Sequence, residues 1–221
     1  MVAADAFDQN WMLRLEALLA SGRAAGADLV EIFLERTDHL GVLAEQDTIT
    51  SVSPAFGMGA GIRVFRGDRD GFVSTNDLSE AGLNHALEQA LGMLGLAPTT
   101  SGVGSFEGLK DLRDFGSTKT DWLKRCPEIQ EATGTLLGGT AALERHGHHL
   151  QARRGSYARD WQEVLVAASD GTFARDIRLH QSLGLNVLAA DGDHRAGLGR
   201  RYGTSGEIGR ASCRERVCLY V

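Results

Sequence analysis

The chain has 221 residues, 43% of them hydrophobic and 24% charged, which is typical of a soluble globular protein. Its formal net charge of −6 argues against a general nucleic-acid binder, because such proteins attract phosphate with a surplus of Lys and Arg. Three cysteines are too few, and odd in number, for a disulfide framework, and no apolar run approaches the ~20 residues of a membrane-spanning helix. The first ten residues also lack the pattern of a secretory signal, so we expect a cytoplasmic protein that binds neither nucleic acid nor membrane.

The first predicted elements are a helix and a β-rich stretch. Apolar residues recur every three or four positions from Phe7 to Arg23, which places them on one helix face, and Asp8 is a suitable N-cap. From Asp28 to Thr37, apolar and other side chains alternate, which predicts a strand with one buried face. The segment Leu40–Ser53 continues the β-rich pattern.

A hairpin and a second helix follow. The pair Asp70-Gly71 lies between β-forming runs in the segment Gly57–Thr75, and it predicts a hairpin turn because Gly tolerates the positive φ that tight turns need. Apolar residues from Leu78 to Leu94 then indicate an amphipathic helix, with Asp77 as its expected N-cap.

The second half repeats this order. Residues 98–118 are rich in Gly, Ser and Thr and predict a connection. A helical stretch from Lys119 to Arg145 follows, and a β-rich region then runs from His149 to Tyr202 with Asp-Gly turns at 170–171 and 191–192.

These patterns predict an α+β fold, with helices packed on antiparallel β-meanders in two similar units. The expected boundaries are an N-terminal α+β unit at 1–97, a connection at 98–118, and a second unit of helix and β-meander at 119–206. Residues 207–221 hold two of the three cysteines and a cluster of arginines, without strand alternation or a helix face. We therefore expect them to be a non-native tail.

Three glycines, Gly57, Gly59 and Gly61, raise the question of a nucleotide-binding loop. The dinucleotide fingerprint needs G-x-G-x-x-G between a strand and a helix, because the helix N-terminus receives the pyrophosphate. Here the spacing is G-x-G-x-G and a strand follows, so close backbone packing or a bulge is the favoured interpretation.

Clusters of acidic residues and histidines are the candidate metal ligands. The aspartates are too few and wrongly spaced for a calcium loop, and turn chemistry explains them. They are Asp68, Asp70, Asp191 and Asp193. A denser group could contribute to a zinc site but lacks the HExxH pattern, so a polar helix end, with His side chains favoured by the helix dipole or solvated, is the preferred interpretation. It consists of Glu144, His146, His148 and His149. The scattered histidines read as ordinary surface or core residues. They are His39, His85, His180 and His194.

No nucleophile stands out either. There is no G-x-S-x-G elbow, and Cys126 precedes a proline within a helical stretch, which favours a packing role over a catalytic thiol. Glu31 and Glu35 lie on one strand face, where acidic pairs more often solubilise than catalyse. The residues alone therefore assemble no catalytic, cofactor-binding or metal site.

The segment Ala27–Ser79 resembles the opening of TldD/PmbA-family proteins. The likeness lies in an early helix, an acidic strand, a Gly-rich entry to the strand GIRV, and the run DGFVSTNDL before a helix. A weaker likeness continues to RRYGTSG, at Arg200–Gly206. The resemblance thus covers most of this chain and implies the N-terminal half of a family member.

The resemblance implies a zinc metallopeptidase subunit that acts on peptides or unfolded segments. TldD-type members are similar in carrying the zinc motif HExxxH in their C-terminal half, and they work with a PmbA-type (TldE) subunit that lacks the metal. No residue here matches that motif, so we expect a fragment that is inactive alone, has no cofactor of its own, and binds a PmbA/TldE-type subunit or itself. The alternatives are a non-catalytic PmbA/TldE-type partner and a scaffold that binds extended peptides by strand addition.

Overall fold

The computed structural model describes residues 9–98, 106–115, 128–144 and 150–204. In these ranges the helices are α1 (Gln9–Ala24), α2 (Glu80–Met93) and α3 (Ile129–Glu144). The strands are β1 (Leu29–Glu45), β2 (Thr48–Arg66), β3 (Arg69–Thr75), β4 (Arg113–Asp114), β5 (Leu150–Ala168), β6 (Phe173–Asp191) and β7 (His194–Thr204). No helix in the described ranges is long and apolar enough to cross a membrane.

The strands form one sheet in the order β3-β2-β1-β5-β6-β4, and β7 also pairs with β6. The pairs β2–β3 and β6–β7 are antiparallel, with Ile62 opposite Val73 and Val187 opposite Leu198. The two-residue strand β4 is different, because it runs parallel to β6. The predicted α+β fold with antiparallel meanders is confirmed.

The chain divides into two compact units, each built from separate stretches of sequence. Unit 1 contains residues 1–36, 57–117 and 163–177, and unit 2 contains residues 37–56, 118–162 and 178–221. The long strands β1, β2, β5 and β6 therefore contribute residues to both units. The boundaries 1–97, 98–118, 119–206 and 207–221 stay a prediction about the sequence.

The core of unit 1 is the layer between its helices and one face of its strands. Buried leucines and alanines of α1 and α2 contact the alternate apolar residues of β1 and β2. Val30, Ile32 and Leu34 are buried, whereas Phe33 points to the other face and is exposed, as the alternation predicted. Burial of about 1.5–3 kcal/mol per large apolar side chain makes this layer the main stabilising contact of unit 1.

Unit 2 has its own, smaller core under α3. Ala132 and Leu136 of this helix pack with Tyr157 and with apolar residues of β1 and β6. The helix approaches β5 closely at Gly155, where an added Cβ would lie 2.6 Å from a Leu136 methyl carbon. Only a residue without a side chain permits that approach.

The predicted hairpin turn at Asp70-Gly71 is wrong. Strand β3 begins at Arg69, so this pair lies inside the strand, and the turn falls at Gly67-Asp68, where Gly67 has φ +60°. Gly71 serves packing instead, since an added Cβ would lie 2.4 Å from the carbonyl oxygen of Ala90 in α2. The sequence thus predicted a hairpin in this segment correctly but placed its turn at the wrong one of two nearby glycines.

The predicted N-cap of α2 is also displaced. The helix begins at Glu80 and its N-cap is Ser79, whose hydroxyl accepts a hydrogen bond from the Gly82 amide at 3.1 Å. Asp77 lies two residues before Ser79, and its carboxylate accepts a hydrogen bond from the Ser79 amide at 3.0 Å. Hydrogen bonds from Ser79 hold the pKa of Asp77 below its ordinary value.

Other local predictions fare better. A turn occurs at the predicted position 170–171, with Gly171 at φ +89°. The second predicted turn is displaced by one residue: Asp191 ends β6, and the turn consists of Gly192, at φ +58°, and Asp193. A further turn at Gln46–Asp47 separates β1 from β2, and the sequence analysis did not predict it. The expected N-cap Asp8, the first part of the helix predicted from Lys119, and residues 207–221 lie outside the described residues.

Candidate functional site

Three of the four candidate zinc ligands that form the densest group in the sequence fall outside the part of the chain that the structure describes. His146, His148 and His149 lie outside the described residues, and Glu144 ends α3 with its carboxylate 3.4 Å from an Arg153 guanidinium nitrogen. Among the described residues, no group of three or more His, Cys, Asp or Glu side chains could hold a metal ion. The described residues thus do not fit the zinc that the family resemblance implies.

Packing and ion pairing account for other candidate residues from the sequence. Gly57, Gly59 and Gly61 all lie within strand β2, and an added Cβ on Gly61 would be 3.0 Å from the ring of Phe72. This favours the interpretation of close packing. The Asp70 carboxylate lies 2.9 Å from Nε of Arg63, so an ion pair accounts for the presence of an aspartate at this position.

One scattered histidine has an acidic partner. His39 Nδ1 lies 2.6 Å from the Asp160 carboxylate, and both side chains are exposed. The pair joins β1 to β5 within unit 2. An exposed pair of this kind contributes little to stability.

Sequence reasoning missed a group of buried charged residues on β5. Arg153, Arg159 and Glu163 of β5 are buried although each is charged. They share the odd-numbered face of β5 with the buried Tyr157 and Trp161. Period-2 alternation was therefore the signal that could have found them.

In unit 2, two of these arginines bind carboxylates. Arg153 lies 3.1 Å from Asp47, in the turn between β1 and β2, and it also contacts Glu144 at the end of α3. Arg159 pairs with Asp38 of β1. These contacts fix the β1–β2 turn and α3 to β5, because a guanidinium holds carboxylates in a defined geometry.

In unit 1, Glu163 pairs with Arg175. The Arg175 Nη2 atom is 2.5 Å from Glu163 Oε1, in a contact that lacks the alignment of a hydrogen bond. The Glu163 side chain is only 1% exposed and that of Arg175 is 16% exposed. A carboxylate so deeply buried needs its cation, since an unpaired buried charge costs several kcal/mol.

A groove lies between α1 and α2 in unit 1. Its volume is about 290 Å³. Arg14 and Glu80 contribute opposite charges to its lining, together with the apolar Leu13, Leu18 and Leu83. Its described lining residues include no pair of nucleophile and base.

Two successive parts of the chain match family descriptions. Residues 30–94 match "PmbA/TldA metallopeptidase domain 1", and residues 122–217 match "PmbA/TldA metallopeptidase central domain". The class is therefore that of α+β domains from a metallopeptidase family. The chain belongs to the PmbA/TldD family, and the resemblance stated from the sequence is confirmed. The second match includes part of the segment 207–221 that was predicted to be foreign.

Solved structures share the fold. A candidate modulator of a DNA gyrase from Thermotoga maritima MSB8 aligns with TM-score 0.68 and 12% identity over 88% of this chain and 43% of its own. TldE from Thermococcus kodakarensis gives 0.61 and 18%, over 86% and 42%. A candidate modulator of DNA gyrase from Bacteroides thetaiotaomicron VPI-5482 gives 0.55 and 13%, over 89% and 45%.

The chain spans less than half the length of each of these structures. At such identities the likeness concerns the fold alone. None of the curated proteins matches the sequence.

Proposed function

We propose that this chain supplies the first two domains of a TldD-type metallopeptidase subunit, whose substrates are peptides or unfolded segments. The observation that carries the proposal is the succession of two metallopeptidase-family matches, at residues 30–94 and 122–217, in the order first domain and central domain. The fold likeness to longer proteins of the family is consistent with it.

On this proposal the catalytic zinc ligands lie outside the described residues. Zinc requires three or four converging side chains, and the described residues offer no such group. No described residue is therefore assigned a step in peptide cleavage. The described part acts as a scaffold, with strands held in register by the ion pairs of Arg153, Arg159 and Arg175. We expect it to be inactive alone and to work in the cytoplasm.

We further propose that the chain associates with a PmbA/TldE-type subunit or with itself. A non-catalytic TldE-type partner is the alternative identity, and a TldE structure is among those that share the fold. The two identities differ in one respect, since a TldD-type subunit needs the zinc motif HExxxH and a TldE-type subunit does not.

The test has two measurements. The first is the reading frame of the gene beyond the codon for Gly206, where an HExxxH segment supports the TldD-type subunit and native sequence without it supports the TldE-type partner. The second is zinc content after dialysis, together with cleavage of an unfolded casein peptide by the present chain. We expect far less than one zinc per chain and no cleavage.

A matched variant separates a hidden site from contamination. If the chain retains one zinc and cleaves the peptide, and if the triple variant His146→Ala, His148→Ala, His149→Ala loses both, then the proposal that the ligands lie elsewhere is wrong. Light scattering on the eluted protein measures association. A mass of one chain, alone and after mixing with a TldE-type subunit, would contradict the proposed partners.

A further inference from the structure

The segment Phe106–Phe115 crosses unit 1 and is bound there at three backbone positions. The Leu109 amide donates to the Glu16 carboxylate of α1 at 3.0 Å. The Lys110 amide donates to the Gly171 carbonyl at 3.0 Å, and the Phe115 amide donates to the Arg175 carbonyl at 2.8 Å. The segment thus joins the first helix, the β5–β6 turn and strand β6.

Little apolar burial holds the segment in place. Phe106 and Leu109 are partly buried against the core of unit 1, whereas Leu112 is 43% exposed and Phe115 is 60% exposed. A segment with few buried contacts and exposed backbone hydrogen bonds belongs to the low-stability part of a protein. Its attachment therefore depends largely on backbone hydrogen bonds, which include these three and the pairing of β4 with β6.

Glycines shape the first two attachment points. Gly108 has φ +101°, and an added Cβ there would lie 3.4 Å from Glu16 Oε1. Gly171 has φ +89°, and an added Cβ would lie 3.0 Å from Lys110 Cε. Both positions use a backbone conformation that favours glycine, so a side chain would strain the attachment.

The third attachment covers a strand edge. Arg113 and Asp114 pair with Ala174 and Arg175 of β6. On the same side of β6, strand β7 pairs only from Gln181 onward. This comparison concerns the described residues alone. An open strand edge is a template for pairing with another chain. The short β4 therefore protects the first residues of β6.

We propose that residues 106–115 form a clasp that opens as one unit while the core of unit 1 remains folded, and that the Glu16 carboxylate locks it. Closed, the clasp joins α1 to the β5–β6 hairpin and covers the β6 edge at Ala174 and Arg175. Open, it exposes that edge. The clasp is thus a conformational device that controls access to one strand, and it is independent of the peptidase proposal.

Amide hydrogen exchange tests the clasp. The amides of Leu109, Lys110 and Phe115 should exchange with a common opening constant, well before those of Leu87 and Leu91 in α2. Glu16→Ala removes a charged acceptor, so exchange of all three clasp amides should accelerate about tenfold or more. Glu16→Gln keeps an acceptor oxygen and should restore most of the protection, while the α2 amides stay unchanged.

A second variant avoids removing a charge. Gly108→Ala should also accelerate exchange of all three amides, because it strains the turn toward Glu16. The control is Gly192→Ala in the β6–β7 turn, at φ +58° with no other atom within 4 Å of an added Cβ. The clasp proposal is refuted if the three amides open independently, if Glu16→Ala affects Leu109 alone, or if the α2 amides accelerate equally.

Discussion

Removal of the Glu163 carboxylate tests whether the buried ion pair of unit 1 is needed for stability. Glu163 is almost fully buried, and Arg175 lies 2.5 Å from it. The substitution Glu163→Ala therefore removes a negative charge that offsets the cost of burying the Arg175 guanidinium. Breaking a buried pair from one side costs about 3–5 kcal/mol. For a chain of 221 residues, each kcal/mol lowers Tm by about 2–4 °C, which gives a decrease of about 6–20 °C.

The design is a double-variant cycle. Glu163→Leu and Arg175→Met should each destabilise, whereas the double variant should recover most of the loss, because two apolar side chains of similar size replace the pair without a stranded charge. Urea unfolding followed by circular dichroism measures the free energies, with Arg63→Met as the exposed control. Single variants that cost less than about 1 kcal/mol, or losses that simply add, would refute the reasoning.

Two further predictions concern α2. Gly71→Ala should lower the free energy of unfolding by about 1–3 kcal/mol, because the added methyl group meets the Ala90 carbonyl. The control is Gly92→Ala, which has no neighbouring atom within 4 Å of the added methyl group and should be neutral or stabilising. Chemical denaturation measures the free energy of unfolding of both variants. Because Ser79 lowers the pKa of Asp77, the charged form of Asp77 stabilises the fold above its unfolded pKa, about 3.9, and this contribution is lost as pH falls through the folded pKa. Asp77→Asn should therefore destabilise at pH 7 but not at pH 2; an equal effect at both pH values would show that its charge is not involved.

The sequence predicted the fold class and most elements because their signals are local. Alternation on β1 identified Val30, Ile32 and Leu34 as a buried face, and the periodicity of α2 identified its leucines. Gly67 and Gly71 show the limit of such reasoning. Both are small residues near a turn, and only the position of Ala90, some twenty residues later, decides which one packs and which one turns.

The candidate site was less predictable for the same physical reason. A charged residue is ordinarily expected at the surface, yet Arg153, Arg159 and Glu163 are buried because partners from other elements of the fold reach them. Alternation assigns a residue to a face, but it does not show that a distant partner makes burial of its charge tolerable. The family was recognised from the order of elements along a run of some fifty residues. No single ligand motif identified it.

The order of synthesis gives the interleaved units a consequence for folding. The core of unit 1 includes Leu165, Ala167 and Phe173, and the Val30 amide donates to the hydroxyl of Ser169, 139 positions away. A ribosome adds about 5–20 residues per second, so the N-terminal helices wait several seconds for these partners. During that interval the nascent chain exposes leucines that will later be buried. The core of unit 1 is therefore complete only after residues 165–173 have been synthesised.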